Sequence, residues 1–260
     1  MKTILYDTKG NKKGEIELPA PFSTKIREDI VQKYLSTERF LEIQPFAPNP
    51  EAGKRHSASG TISHKRHDFK GHYGRGISRI PRKTMSRRGT NFFWIGAEVT
   101  STRGGRKAHP PKLRKRLRRV NKKEIIYAMN SAIAATAQEK YILERYSTLD
   151  KVKIQLPLVI ESKLDKIKTK DLVNSIKNIL QDTFSLALKK KSVRAGKGKS
   201  RGRKYKSNAG LLLIKSNEED IKMKGIEIKS TDQIYISDLY PLGRITLYTE
   251  KALKDLGAKR

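Results

Sequence analysis

Apolar positions along the chain gather into short, patterned runs, and those runs predict the elements. Thr3 to Asp7 (TILYD) and Gly14 to Leu18 (GEIEL) flank Lys9-Gly10-Asn11, a turn signal, so a β-hairpin is predicted at the start. From Ser23 the spacing of Ile26, Ile30 and Tyr34 fits one face of a helix. A second helix is predicted to open at Asn121, with Glu124 three residues on in capping-box spacing. It continues through Ile125, Met129, Ala132, Ile133 and Ala135, whose small members permit close packing.

Beyond residue 156 strand-sized and helix-sized patterns alternate. LPLVI (156–160), GLLLI (210–214), GIEIK (225–229) and Arg244 to Tyr248 read as strands. Thr169 is placed to cap a helix carrying Leu172, Val173, Ile176, Ile179 and Leu180, and a last helix follows Thr249. Short apolar strands alternating with helices predict an α/β fold: a mostly parallel, doubly wound, Rossmann-like sheet with helices on both faces.

From about 44 to 111 no such period is sustained, and Gly, Ser, Pro, Arg and His dominate instead. The expected organisation is one globular body, 1–43 with 112–260, interrupted by a long extended internal arm, 44–111; a basic loop, 189–209, lies within the body. Paid out and back as a hairpin, the arm spans up to roughly 100 Å. It is expected to lack a core of its own and to order only against an anionic partner.

Charge sharpens this division. The 260 residues carry 58 Lys or Arg against 26 acids, a net charge of +32. Residues 51–123 contribute 22 basic residues and only Glu51, Asp68 and Glu98 as acids; 189–206 contribute ten basic residues and no acid. The remainder is close to neutral. Such concentrated like charge destabilises a compact body unless a polyanion offsets it. Nucleic acid is the leading partner, because each phosphate bound also releases counterions; a basic membrane-surface protein is the bland competitor.

No cysteine is present, which removes disulfides and thiolate metal sites from consideration. The apolar stretch in MKTILYDTKG is too short for a signal peptide, and no apolar run approaches membrane-spanning length. A soluble, cytoplasmic protein is expected. The spacing His64-x-x-His67, with His56 and His72 nearby, weakly suggests zinc, but Asp68 is the one acid among them and Lys65, Arg66 and Lys70 repel a cation. No metal or cofactor is expected.

Catalytic patterns are equally thin. Gly71, Gly74 and Gly76 lack dinucleotide-fingerprint spacing. Gly198-Lys199-Ser200 resembles the end of a phosphate-binding loop, but that loop needs a glycine at 193, where Val193 stands, and needs to run from a strand into a helix. A glycine-spaced strip lying along the phosphates of a polymer is the better reading of VRAGKGKSRGRKY (193–205).

Several segments together carry a family signature. They are Arg103 to Lys112 (RGGRKAHPPK), Val120 to Glu124 (VNKKE) and Ser131 to Ala137 (SAIAATA); Phe46 to Arg55 followed by His56-Ser57-Ala58; Gly74 to Arg82 (GRGISRIPR); Arg194 to Tyr205; and Gly243-Arg244 through Glu250. In this order, over nearly the whole chain, they resemble the fourth protein of the large ribosomal subunit, archaeal and eukaryotic type. The sequence departs from that type in two stretches of the arm, TISHKRHDFKGHY (61–73) and SRRGTNFFWIGAEVTSTR (86–103), both longer than expected. The resemblance implies an α/β body on the outer face of the subunit and an internal arm threaded into ribosomal RNA. It also implies an arm tip that helps form the constriction of the nascent-peptide exit tunnel, beside the twenty-second large-subunit protein.

The RNA-binding candidates follow from both readings. In the arm they are Lys54, Arg55, His56, Arg75, Arg79, Arg82, Arg87, Arg88, Arg103, Arg106, Lys107 and His109, where small neighbours let phosphates approach and guanidinium forks grip two oxygens. After it come Lys112, Arg114, Lys115, Arg116, Arg118 and Arg119, with Leu113 and Leu117 four apart as apolar anchors. In the strip they are Arg194, Lys197, Lys199, Arg201, Arg203 and Lys204. Gly74, Arg75, Gly76, Arg79 and Arg82 match the tunnel tip. Phe69, Tyr73, Phe92, Phe93 and Trp94 interleave with the charge and either stack on splayed bases or pack against protein. The function expected is a structural constituent of the large subunit; the alternatives are a non-ribosomal RNA-binding protein or chaperone and, from another class, a nucleotide hydrolase or nuclease.

Overall fold

A computed structural model describes residues 1–260 except 59–65, 69–70, 114–118, 153, 165–166, 189–190, 207–209, 224 and 259–260. The chain divides into two units, Met1–Glu42 with Leu117–Arg260, and Ile43–Arg116. In chain order the larger unit contains β1 (Lys2–Tyr6), β2 (Lys12–Glu17) and α1 (Glu28–Glu42) before the smaller one, which contains β3 (Arg82–Arg88) and β4 (Asn91–Gly96). The larger unit then resumes with α2 (Lys122–Ala135), α3 (Glu139–Arg145), β5 (Leu158–Ile160), α4 (Thr169–Leu180), α5 (Phe184–Ala187), β6 (Leu212–Lys215), β7 (Glu227–Ser230), α6 (Ile236–Leu239), β8 (Thr246–Thr249) and α7 (Glu250–Ala258).

Six strands form one sheet in the order β2-β1-β5-β8-β6-β7. Only the β1–β2 pair is antiparallel; β1 with β5, β5 with β8, β8 with β6 and β6 with β7 are parallel. Successive strand residues go to opposite cores. Val159, Leu212, Ile214 and Tyr248 join one apolar cluster with Val31 and Leu35 of α1, Ala128 and Ala132 of α2, Ile236 of α6 and Leu253 of α7. Leu158, Ile160, Leu211, Leu213 and Leu247 join the other with Ile142 of α3 and Leu172, Ile176 and Ile179 of α4. A strand buried on both faces has no polar side to alternate with, which is why the central strands read as continuous apolar runs.

Several boundaries shift from the sequence reading for local reasons. Ser23 does not open a helix: Pro19 and Pro21 hold Ala20–Ser23 in one 3-10 turn, and α1 begins five residues later at Glu28-Asp29, acids that suit its positive end. Asn121 does flank α2, but its side chain makes no cap bond; Glu124 pairs instead with Lys33 of α1, 2.9 Å away. Thr169 is the first helical residue of α4 rather than its cap, a position Lys168 takes without a side-chain bond. The later strands each begin one or two residues after the apolar run does, where ladder pairing starts.

A tie at the start of β8 joins three strands and a helix. Gly243 has φ +81°, and a Cβ there would lie 2.2 Å from the Tyr141 carbonyl, so no other residue fits. Next to it Arg244 is 2% exposed. Its guanidinium donates to the Gly210 carbonyl at 3.0 Å, the Asp238 carbonyl at 2.6 Å and the Glu227 carboxylate at 2.5 Å.

The smaller unit overturns one expectation. The segment read as lacking any strand period contains an antiparallel hairpin, β3 with β4, closed by Gly89-Thr90 with Arg88 opposite Asn91. Gly89 has φ +58°, the left-handed value that a two-residue hairpin turn requires. The pattern was hidden because β3 is Arg- and Lys-rich and a bulge at Met85 breaks its alternation. Nor is the unit without buried groups, since Gly71, His72 and Ala97 are all buried within the chain.

Candidate nucleic-acid interface

The basic strip closes into a small hairpin of its own. Val193 and Tyr205 form an antiparallel bridge, the Arg194 amide donates to the Lys204 carbonyl, and the Lys206 amide to the Ser192 carbonyl, each at 2.9 Å. Between them Lys197–Arg201 makes one 3-10 turn that ends on Gly202 at φ +74°. The strip therefore does not run from a strand into an α-helix, and the phosphate-loop geometry is absent. Its glycines differ in use. Gly202 supplies the left-handed turn, whereas a Cβ at Gly198 would meet the Arg194 side chain at 2.6 Å.

Backbone bonds thus hold the hairpin, and its cations are left outward. Lys197, Lys199, Arg201, Arg203 and Lys204 are exposed, and Arg194 is half-buried with its Nε donating to the Arg203 carbonyl at 3.3 Å. Among the described residues none of these six enters an ion pair. Tyr205, absent from the sequence-derived set, has Lys191 5.0 Å and Lys204 5.7 Å from its ring centroid. An aromatic ring with two cations close by offers a stacking surface beside charges that suit phosphate.

In the smaller unit the candidates fall into three places. Lys54, Arg55 and His56 end a turned segment, where His56 Nε2 lies 3.0 Å from the Gly53 carbonyl and Lys54 and Arg55 are exposed. Gly53, at φ +83°, sits against the backbone of Gly105 and Arg106, which brings that turn to the far end of the segment. Arg103, Arg106, Lys107, His109 and Lys112 are all exposed there. Arg119 is exposed as well, while Arg114, Lys115, Arg116 and Arg118 lie outside the described residues.

Gly74, Arg75, Gly76 and Arg79 form the loop before β3, with Gly74 at φ +74° and Gly76 at φ +66°. Arg75 is exposed and Arg79 lies over Tyr73, 4.3 Å from the ring centroid. Arg82 is held differently. It opens β3, donates to the Ser78 carbonyl at 2.8 Å and lies 5.7 Å from the Trp94 ring. Trp94 in turn stacks on His72 at 4.9 Å and meets Phe92 edge-on at 5.4 Å. Arg87 donates to the Gly89 carbonyl across the turn, and Arg88 is exposed. Lys83, which the sequence reading passed over, pairs across the ladder with Ile95. Among the described residues no three His, Asp or Glu side chains lie together as a metal would require.

His72 is 3% exposed and neither ring nitrogen has a partner among the described residues; its contact there is the stack on Trp94. Trp94 is the sole tryptophan and reports on that stack directly. His72→Ala is expected to make the indole emission redder and more accessible to a collisional quencher, and to weaken the hairpin by about 1 kcal/mol. Steady-state quenching with acrylamide checks it; unchanged emission would contradict the stack.

Comparison with known proteins places the chain in a family. The family model described as "Ribosomal protein L4/L1 family" matches residues 16–259. The large ribosomal subunit protein uL4 of Nanoarchaeum equitans is 32% identical over 270 residues, covering 100% of this chain and 99% of that protein. Those of Methanosphaera stadtmanae and Methanocaldococcus jannaschii are 33% and 34% identical, each covering 98% of this chain and 96% and 98% of their own lengths. With a family model spanning most of its length and relatives aligned from end to end, the chain belongs to the ribosomal protein L4/L1 family.

Proposed function

We propose that this protein is a structural constituent of the large ribosomal subunit in the cytoplasm, binding large-subunit ribosomal RNA through the 44–119 segment and the 189–209 loop. The observation that carries the reading is the set of exposed cations on the acid-free strip hairpin and in the acid-poor smaller unit, in a chain of this family. Arg and Lys there offset phosphate repulsion where RNA segments pack, and both hairpins hold the cations in fixed order. The body, read as doubly wound and Rossmann-like with the 44–111 segment as its internal arm, anchors the RNA-contacting parts; its work is structural rather than catalytic. The loop Gly74 to Arg82 belongs, in this reading, to the narrowing of the nascent-peptide exit tunnel, beside the twenty-second large-subunit protein.

Large subunits purified from cells producing a tagged copy test this. The tagged chain is expected to co-sediment with them and to survive a high-salt wash. Release by that wash would favour a non-ribosomal RNA chaperone. A rise in melting temperature on adding nucleotide with magnesium would favour a nucleotide hydrolase.

A further inference from the structure

The β3–β4 hairpin has two unlike faces, and among the described residues only one is packed against the rest of its unit. Residues directly opposite one another in an antiparallel pair share a face, and alternate residues along a strand share it too. Arg87 with Phe92, Thr84 with Trp94 and Arg82 with Gly96 make the packed face. There His72 stacks on Trp94, Phe92 meets Trp94 edge-on, and a Cβ at Gly96 would lie 2.5 Å from Ile80. These contacts fix the hairpin and leave its other face outward.

That second face is made by Arg88 opposite Asn91, Ser86 opposite Phe93 and Lys83 opposite Ile95. Phe93 is 74% exposed, and Ile95 and the bulged Met85 are exposed as well. Pairs on one face succeed one another about every 7 Å, so Arg88 stands on one side of the Phe93 ring and Lys83 on the other. No acid occurs anywhere from Phe69 to Ala97. An exposed aromatic ring with a cation at each side and no acid on either strand is complementary to one unpaired base and the phosphates before and after it. A protein partner would find little apolar surface here beyond one ring and two aliphatic side chains.

We propose that the outward face of this hairpin is a base-stacking site: an unpaired nucleobase of RNA lies on Phe93 while Arg88 and Lys83 take the adjoining phosphates. This rests on the RNA-binding function proposed above and specifies it at one residue. Phe93 is then a readout platform, and Trp94, next to it in sequence, belongs to the support beneath.

Full-length protein titrated with a short single-stranded RNA carrying a fluorescent purine analogue tests it, with the analogue placed at successive positions. The wild-type chain is expected to quench the analogue at one position. Phe93→Ala should abolish that quenching and weaken binding roughly ten-fold with the salt slope unchanged, and Phe93→Trp should restore both. Lys83→Gln with Arg88→Gln should instead lower the salt slope by about one to two. Because Phe93 is so exposed, Trp94 quenching by acrylamide should be unchanged in Phe93→Ala, which confirms an intact hairpin. Wild-type binding with a normal salt slope but identical quenching in Phe93→Ala would overturn the stacking site and leave the RNA-binding function standing. Absence of salt-dependent binding by the wild type would overturn that function itself. Loss of Phe93→Ala from large subunits with unaltered RNA binding would overturn the site in favour of a docked protein.

Discussion

Exchanging Arg194, Lys197, Lys199, Arg201, Arg203 and Lys204 together for glutamine is expected to reduce the dependence of RNA affinity on salt by about four to five units of log–log slope, with affinity itself falling by roughly three orders of magnitude at low salt. Each cation that neutralises a phosphate releases counterions, and each contributes just under one unit to the slope. These side chains are suited to the measurement because the hairpin beneath them is held mainly by backbone bonds, Arg194 alone among them adding a side-chain bond to the Arg203 carbonyl. Its bridge between Val193 and Tyr205 and its turn at Gly202 are backbone features, and its cations enter no ion pair among the described residues. Titration of ribosomal RNA at a series of salt concentrations, with circular dichroism to verify the fold, gives the result. An unchanged slope would show that the strip touches no phosphate.

The largest stability effect is expected at the Gly243-Arg244 tie. Arg244→Ala removes a guanidinium that is 2% exposed and serves the Gly210 and Asp238 carbonyls as well as Glu227. Glu227 is itself partly exposed and can turn to water, so the cost comes mainly from the two carbonyls left without a donor, about 2–4 kcal/mol. Gly243→Ala is expected to cost a similar amount, since its Cβ would lie 2.2 Å from the Tyr141 carbonyl on a backbone already at φ +81°. Urea unfolding should show the midpoint falling with an unchanged slope, whereas Lys254→Ala, at an exposed position of α7, should stay within about 0.5 kcal/mol of wild type. A loss at Arg244 below about 1 kcal/mol would mean that water replaces the guanidinium at all three acceptors.

Much of the body could be read directly. Leu211 to Ile214, Leu158 to Ile160 and the Leu172, Ile176, Ile179 spacing announce strands and a helix because burial on both sheet faces demands unbroken apolar runs and one helical face demands a period near four. The initial hairpin was legible from Lys9-Gly10-Asn11, and there the turn fits tightly: a Cβ at Gly10 would lie 2.7 Å from the Ser175 carbonyl. Helix starts were less legible. Ser23, Asn121 and Thr169 all have capping chemistry, yet none caps by side chain in the fold, since prolines, the Lys33–Glu124 pair and the local backbone settle those ends differently.

Among the candidate cations the positions were legible from sequence, and their surroundings in the fold were not. Arg82 and Arg87 look alike in sequence to Arg75 and Arg88. Arg82 nonetheless is half-buried over Trp94 and Arg87, though exposed, bonds back to Gly89, while Arg75 and Arg88 are exposed with no such contact among the described residues. His72 reads as one of several arm histidines and is instead the buried stack on Trp94.

The sequence by itself determined the two places where charge collects and the α/β character of the body, because net charge, acid-free runs and apolar periodicity are local sums over neighbouring residues. Only the tertiary structure decided which strands adjoin, that Arg244 ties β6, β7 and α6 to β8, and that a segment without visible strand period folds into a hairpin with one packed and one open face. Those depend on register and on groups far apart in the chain: one slip in β3–β4 pairing would exchange Phe93 with Trp94, and nothing in the order of residues alone forbids it.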